Sequence, residues 1–192
     1  MNLMNNIFIA LIHYPVKRDG KVITSSITNL DLHDISRISA TYGLGGYFVV
    51  HPESRQRMIA SKLTEHWISG EGKDYNPDRC EAFKKLKIVS DLEEAKRQIF
   101  EKTGAYPAIF GTTARKTEKS VPISTIKITE KPALILFGTA GGIDEQLLDN
   151  IDFILEPIEL GTGYNHLSVR SATAIFIDRL ATNMYISALN FV

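Results

Sequence analysis

Residues 165–180 read NHLSVRSATAIFIDRL and join two unlike surfaces. Ala172, Ala174, Ile175, Phe176, Ile177 and Leu180 have the spacing of a buried helix, whereas Asn165, His166, Ser168, Arg170 and Ser171 crowd hydrogen-bonding groups into its start. The free N–H groups of a first helical turn attract anions, and Asn165 or Ser168 has the chemistry of an N-cap. Three other stretches are rich in ligand-binding groups: FGTTARK (110–116), FGTAGGI (137–143) and EPIELGTGYNH (156–166). Their glycines let backbone approach a ligand closely, and Thr112, Thr113, Thr139 and Thr162 are hydrogen-bond donors. None is a phosphate-binding loop, because the Lys-Ser/Thr of a P-loop is missing and no Gly-x-Gly-x-x-Gly follows the first strand. One such loop is an ordinary turn; three together predict a shared small-molecule pocket. By spacing alone, Arg37 reads as a solvated helix residue paired with Asp34. His13, His51 and His66 lack metal-ligand spacing, so no metal is expected.

The elements that position these groups alternate between short apolar runs and helical periodicity. Strands are predicted at 7–13, 46–52, LKIVS, YPAIFGTT, PALILFGT and FILEPI. Helices are predicted at 31–43, 53–69, DLEEAKRQIFEKTG (capped by Ser90 or Asp91), IDEQLLDN and the stretch after Asn165. VKRDGKVITSSIT reads as a polar loop, GEGKDYNPD as another, and MYISALNFV as an apolar tail that packs on the body or on a partner. Trp67 and Phe100 are expected in the core. Nearly continuous apolar strands separated by helices predict one α/β domain over residues 1–192, a three-layer parallel sheet whose ligand site lies beyond the carboxyl ends of the strands.

The bulk composition narrows the class. With 22 basic and 22 acidic residues no global field advertises a polyanion, so any RNA surface is a local patch. PVKRDGK, ESRQR and FKKLK are candidates, with Arg115, Lys116 and Lys119 beside the first glycine-threonine loop. The single cysteine, Cys80, excludes an internal disulfide and fits a reducing cytoplasm. The run Ile7–Ile12 is too short to span a membrane, and no signal peptide, repeat or low-complexity tract is visible.

Four blocks resemble one family in register. DLHDISRISATYGLGGYFVVHP, IFGTTAR, LILFGTAGGI, and ILEPI with YNHLSVRSATAI follow the order found in the SPOUT superfamily of S-adenosylmethionine-dependent RNA methyltransferases. Asp31, His33, Arg37, Ile38, Ser39, Tyr42 and Gly43 fall on key positions of the pattern Asn-x-Gly-x-x-x-Arg-Thr-Ala-x-x-Phe-Gly of its ribose-methylating branch. GTTAR is similar to a GTSAR loop, FGTAGGI to FGxExxGL, and HLSVRSATAI to SLNVSVAAAI. The resemblance implies a C-terminal trefoil knot over about residues 105–182, bound S-adenosylmethionine, an RNA substrate (tRNA foremost) and a homodimer with composite active sites. By position it implies cofactor contacts at Thr112, Thr113, Ala114, Phe137, Gly138, Gly142, Glu156, Ile158, Gly161, His166 and Leu167. Arg37, Ser168 and Arg170 become the catalytic candidates, and Lys17, Arg18, Arg37 and Arg115 the RNA contacts. Asp31, His33, Ala140 and Glu156 depart from the family's Asn, Gly, Glu and apolar residue. With Arg170 in place of a serine, these departures leave ribose 2′-O and guanine N1 both open as the methylated atom. A knotted dimeric module that binds cofactor or RNA without chemistry is the alternative, and a flavodoxin-like nucleotide domain a third reading.

Overall fold

The computed structural model describes residues 3–126 and 131–189. Seven strands form one sheet: β1 (Ile7–Ile12), β4 (Gly46–Val50), β5 (Leu86–Val89), β6 (Ala108–Gly111), β7 (Ser120–Val121), β8 (Ala133–Gly138) and β9 (Phe153–Leu155). Their order is β5-β4-β1-β8-β6-β9-β7, and every pairing is parallel. The helices are α1 (Asn29–Thr41), α2 (Ser54–Ile68), α3 (Gly72–Tyr75), α4 (Pro77–Phe83), α5 (Leu92–Thr103), α6 (Glu145–Asp149) and α7 (Val169–Leu189).

Strand alternation sends side chains to two cores, one on each face. Ile7, Ile9 and Leu11 of β1 join Leu32, Phe83, Phe176, Ile177 and Leu180, so α1, α4 and α7 cover that face. Phe8, Ala10 and Ile12 join Ala95, Ile99 and Leu148, so α5 and α6 cover the other. This is the parallel three-layer α/β architecture expected from the apolar runs.

Helix boundaries follow their caps. Thr28 accepts from Asp31 N–H at the start of α1, and Asp91 accepts from Glu94 N–H at the start of α5. Glu94 reaches back to the Ser90 N–H at 2.8 Å, so Asp91 is the cap and Ser90 the residue before it.

Several expectations need correcting. The polar loop after β1 is a hairpin, β2 (Val16–Arg18) with β3 (Lys21–Ile23), turned at Asp19-Gly20. Both turn residues have positive φ, 51° and 74°, which is the Asp-Gly signature of a tight hairpin. GEGKDYNPD is mostly helical: Asn76 caps α4 and Pro77 supplies its first residue. Phe100 is 40% exposed and stacks on Tyr106 instead of entering the core, whereas Trp67 packs against the core as expected. The apolar tail continues α7 to Leu189 with Tyr185 and Ile186 exposed; its last residues, 190–192, lie outside the described residues.

Candidate functional site

The register sets four strand ends side by side. Gly138 pairs with Ile12, and Gly111 pairs with both Leu136 and Ile154. The loops after β6, β8 and β9 therefore leave from one edge, the carboxyl edge where open α/β sheets bind ligands.

Two of them are tied together. Asn165 Nδ2 donates to the Ala114 carbonyl at 2.8 Å, joining residues 110–116 to 156–168. Beneath the tie, Thr112 spends both its N–H and its hydroxyl on the Leu136 carbonyl, and Thr113 Oγ1 accepts from Arg115 N–H. Glu156 donates its N–H to Val121, and its carboxylate meets Lys116 at 3.1 Å. Ile158 packs on the core, while Gly161, His166 and Leu167 line the exposed side of the later loop. Leu160 and Tyr164 beside them are 87% and 73% exposed, and the Tyr164 ring meets His166 edge-on.

The middle loop has a different partner. Lys17 N–H donates to the Gly142 carbonyl and Gly141 N–H to the Lys17 carbonyl, at 2.9 and 2.7 Å. A Cβ on Gly141 would lie 2.6 Å from the Lys17 carbonyl oxygen, and one on Gly138 would lie 2.5 Å from the Ile143 nitrogen. The atoms these glycines approach are thus the protein's own, and the loop is packed onto the β2-β3 hairpin. Phe137 is buried against Phe176, 5.9 Å between rings. Lys17 is paired with Glu145 at 3.0 Å and approaches Asp144, whereas Arg18 and Arg115 remain exposed.

The arginines separate in an unexpected way. Arg170, in the first turn of α7, bridges to Asp31 at 2.9 Å and Asp34 at 3.2 Å on α1. Asp31 is buried and also accepts the Thr28 hydroxyl at 2.6 Å. Asp34 thus pairs with Arg170, not with Arg37. Arg37 is exposed, without an ion pair among the described residues, and lines a small groove with Asn76, Asp78 and Arg79. Ser168 Oγ accepts from the Ser171 N–H, so it is the N-cap of α7, and Asn165 is the loop tie.

One cluster was not anticipated. His13 and His51 follow the last residues of β1 and β4, which pair as Ile12 with Val50, and their rings lie 5.4 Å apart. Ser25 meets His13 Nδ1 at 3.0 Å and contacts Thr139 Oγ1, which donates to the Ile12 carbonyl. Glu53 N–H donates to His51 Nδ1, so its Nε2 carries the proton given to the Ser25 carbonyl. His13 is fully buried, and burial with His51 beside it lowers its pKa to about 4. The signal was present in the sequence: two histidines each ending a buried strand. Among the described residues no group of three or more His, Cys, Asp or Glu side chains is arranged to hold a metal.

The parallel seven-stranded sheet with helices on both faces is a fold shared with SpoU methyltransferases. Residues 6–182 match the family of SAM-dependent RNA methyltransferases, and the chain belongs to that family. It is 43% identical over 185 residues to a tRNA (guanine-N(1)-)-methyltransferase of Nitratidesulfovibrio vulgaris, covering 94% of this chain and 43% of that protein. It is 40% identical over 180 residues to an uncharacterized protein of Aquifex aeolicus, covering 91% and 88%. The SpoU methyltransferase AviRb from Streptomyces viridochromogenes shares the fold at 13% identity and a TM-score of 0.60, covering 96% of this chain and 62% of that one. The chain spans less than half the length of its relatives named as tRNA methyltransferases.

Proposed function

We propose that the chain methylates tRNA in the cytoplasm, as a homodimer of single-domain subunits (residues 1–192) that hold S-adenosylmethionine in a trefoil knot over about residues 105–182. The strand order supports the knot. β8 enters between β1 and β6, and β9 between β6 and β7, so later strands are inserted among earlier ones. Exposed Leu30, Leu160, Tyr164, Tyr185 and Ile186 supply apolar surface for a second subunit. Among the described residues no helix is long and apolar enough to cross a membrane.

The Asn165–Ala114 tie carries the cofactor reading, because it joins two strand-end loops, the later of which exposes the apolar Leu160, Tyr164 and Leu167. That donor set suits a nucleoside bearing a zwitterionic tail, and S-adenosylmethionine brings the electrophilic methyl group. Thr113, Ala114, Ile158, Gly161, His166 and Leu167 hold and orient it. Glu156 contributes its carbonyl, since its N–H is spent on Val121. Thr112, Phe137, Gly138 and Gly142 form the support beneath. Arg37, without an ion pair among the described residues, offers its guanidinium to a phosphate beside the target nucleotide, and Arg18 and Arg115 extend the RNA contact. Arg170 positions α7 through Asp31 and Asp34, and Ser168 caps it.

The relatives' name supports tRNA and guanine N1, while the resemblance of residues 31–43 supports ribose 2′-O. Incubation of the full chain with labelled S-adenosylmethionine and total tRNA, followed by nucleoside mass spectrometry, decides between these atoms. The occupied Arg170 favours a second reading, a binding module without chemistry. Tight S-adenosylhomocysteine binding without transfer to any RNA pool would establish that module and end the enzyme reading.

A further inference from the structure

A cleft of about 680 Å³ opens at the opposite, amino edge of the sheet. Phe8, Gly45, Gly46 and Phe48 form its floor, where β1 and β4 begin. Lys84, Lys85, Lys87, Arg97 and Lys102 line it against a single carboxylate, Glu101, which is bound to Arg97. In a chain whose charges balance overall, this is a concentrated positive site. Its positive charge is only partly neutralised. Lys85 Nζ donates to the Leu44 carbonyl at 2.8 Å and Lys102 Nζ to the Gly45 carbonyl at 2.6 Å. Lys84 is paired with Glu81, and Lys87 has no ion pair among the described residues. Burial, then the charges of Lys85 and Lys87, lower the Lys102 pKa, so an arriving anion relieves a repulsion already present.

We infer that this amino-edge cleft binds the phosphate backbone of the RNA substrate. The inference rests on the RNA-methyltransferase reading and extends it. The five residues of β4 separate the two edges by about 17 Å, so a ligand that reaches both the cleft and the cofactor loops is a polynucleotide and not a single nucleotide. Four of the five lining cations are lysines, point charges without the fork that reads a base edge, and Arg97 is held by Glu101, which assigns the cleft to phosphate and not to sequence. The site therefore selects substrates by size and shape, and a mononucleotide gains nothing from it.

The test compares the full chain with a Lys87→Gln, Arg97→Gln double variant. Lys87 is an exposed edge-strand residue and the Arg97–Glu101 pair is exposed, so the fold tolerates both changes. Binding of total tRNA is measured across a potassium chloride series, with S-adenosylhomocysteine affinity as the control. The expected result is roughly tenfold weaker tRNA binding at low salt, a log–log salt slope shallower by about 1.5, and unchanged S-adenosylhomocysteine affinity. Unchanged tRNA affinity and slope in the variant overturn the cleft assignment while methyl transfer by the wild type stands. Loss of binding to phosphatidylserine vesicles, with tRNA binding intact, overturns it in favour of a membrane surface. A wild type that binds S-adenosylhomocysteine but neither binds nor methylates RNA overturns the cleft and the RNA reading together.

Discussion

At the level of single residues, the two candidate arginines have exchanged the roles that their sequence neighbours suggest. Arg37 stands three positions after Asp34, a spacing that invites an ion pair on a helix. Asp34 instead takes Arg170, from 136 positions further along the chain, and Asp31 takes it too. Removing Arg170 strands a buried carboxylate with only the Thr28 hydroxyl. Arg170→Ala is therefore expected to lose about 2–3 kcal/mol of stability in urea unfolding, below the full cost of a buried pair because Arg170 is partly exposed. Adding Asp31→Asn is expected to recover part of that loss. Arg37→Ala, with no ion pair to break among the described residues, is expected to melt within about 0.5 kcal/mol of wild type. It is expected to lower methyl transfer to tRNA by about 100-fold, as removal of an anion-holding group does. A variant that melts early yet transfers at the wild-type rate would make Arg37 structural.

At the level of elements, the least obvious partnership joins the β8–α6 loop to the hairpin. The two stretches meet through three backbone hydrogen bonds, from Lys17 N–H to Gly142, from Gly141 N–H to Lys17 and from Asp144 N–H to Pro15. Gly141→Ala places a methyl group 2.6 Å from the Lys17 carbonyl and must push the hairpin away. A loss of about 1–3 kcal/mol is expected, with weakened S-adenosylhomocysteine binding in calorimetry as the loop shifts. Equal affinity in the variant would show that this loop does not support the cofactor. The contact also marks where sequence reading stops. Apolar runs revealed the principal strands, because a strand covered on both faces leaves a continuous pattern. The hairpin was missed although Asp19-Gly20 signals it, since alternation over three residues is too short to stand out. α4 was missed although Asn76-Pro77 is a cap followed by a first-turn proline. The three loops were legible as chemistry, but not their partners: Asn165 with Ala114, Lys17 with Gly142 and Arg170 with Asp31 are set by strand order, which local pattern does not encode.

At the scale of the whole molecule, the buried histidines couple the stability of the fold to pH. His13 is neutral between two strands, with Nδ1 on Ser25 and no hydrogen-bond partner at Nε2 among the described residues. Its folded pKa of about 4 lies below the ordinary 6.5, chiefly through burial and then His51, with Asp31 opposing. The folded state thus holds fewer protons than the unfolded chain in the interval between those values. The stability from keeping His13 neutral is complete above about pH 6.5 and drains away as the pH falls toward about 4. Burial lowers the His51 and His33 values too, so they act in the same direction. For His13 alone the loss from about pH 7 to about pH 5 is expected to be about 2 kcal/mol in urea unfolding. His13→Asn keeps a polar group for Ser25 but cannot titrate there, so its stability profile is expected to be flatter by that amount. Because Ser25 also touches Thr139 at the root of the middle loop, protonation of His13 is expected to open the fold first where the hairpin and that loop meet. Amide exchange at acid pH is accordingly expected to rise first in residues 13–25 and 138–144, ahead of β4 and β5. Uniform exchange across the sheet would mean that the histidines report global unfolding and do not control this junction.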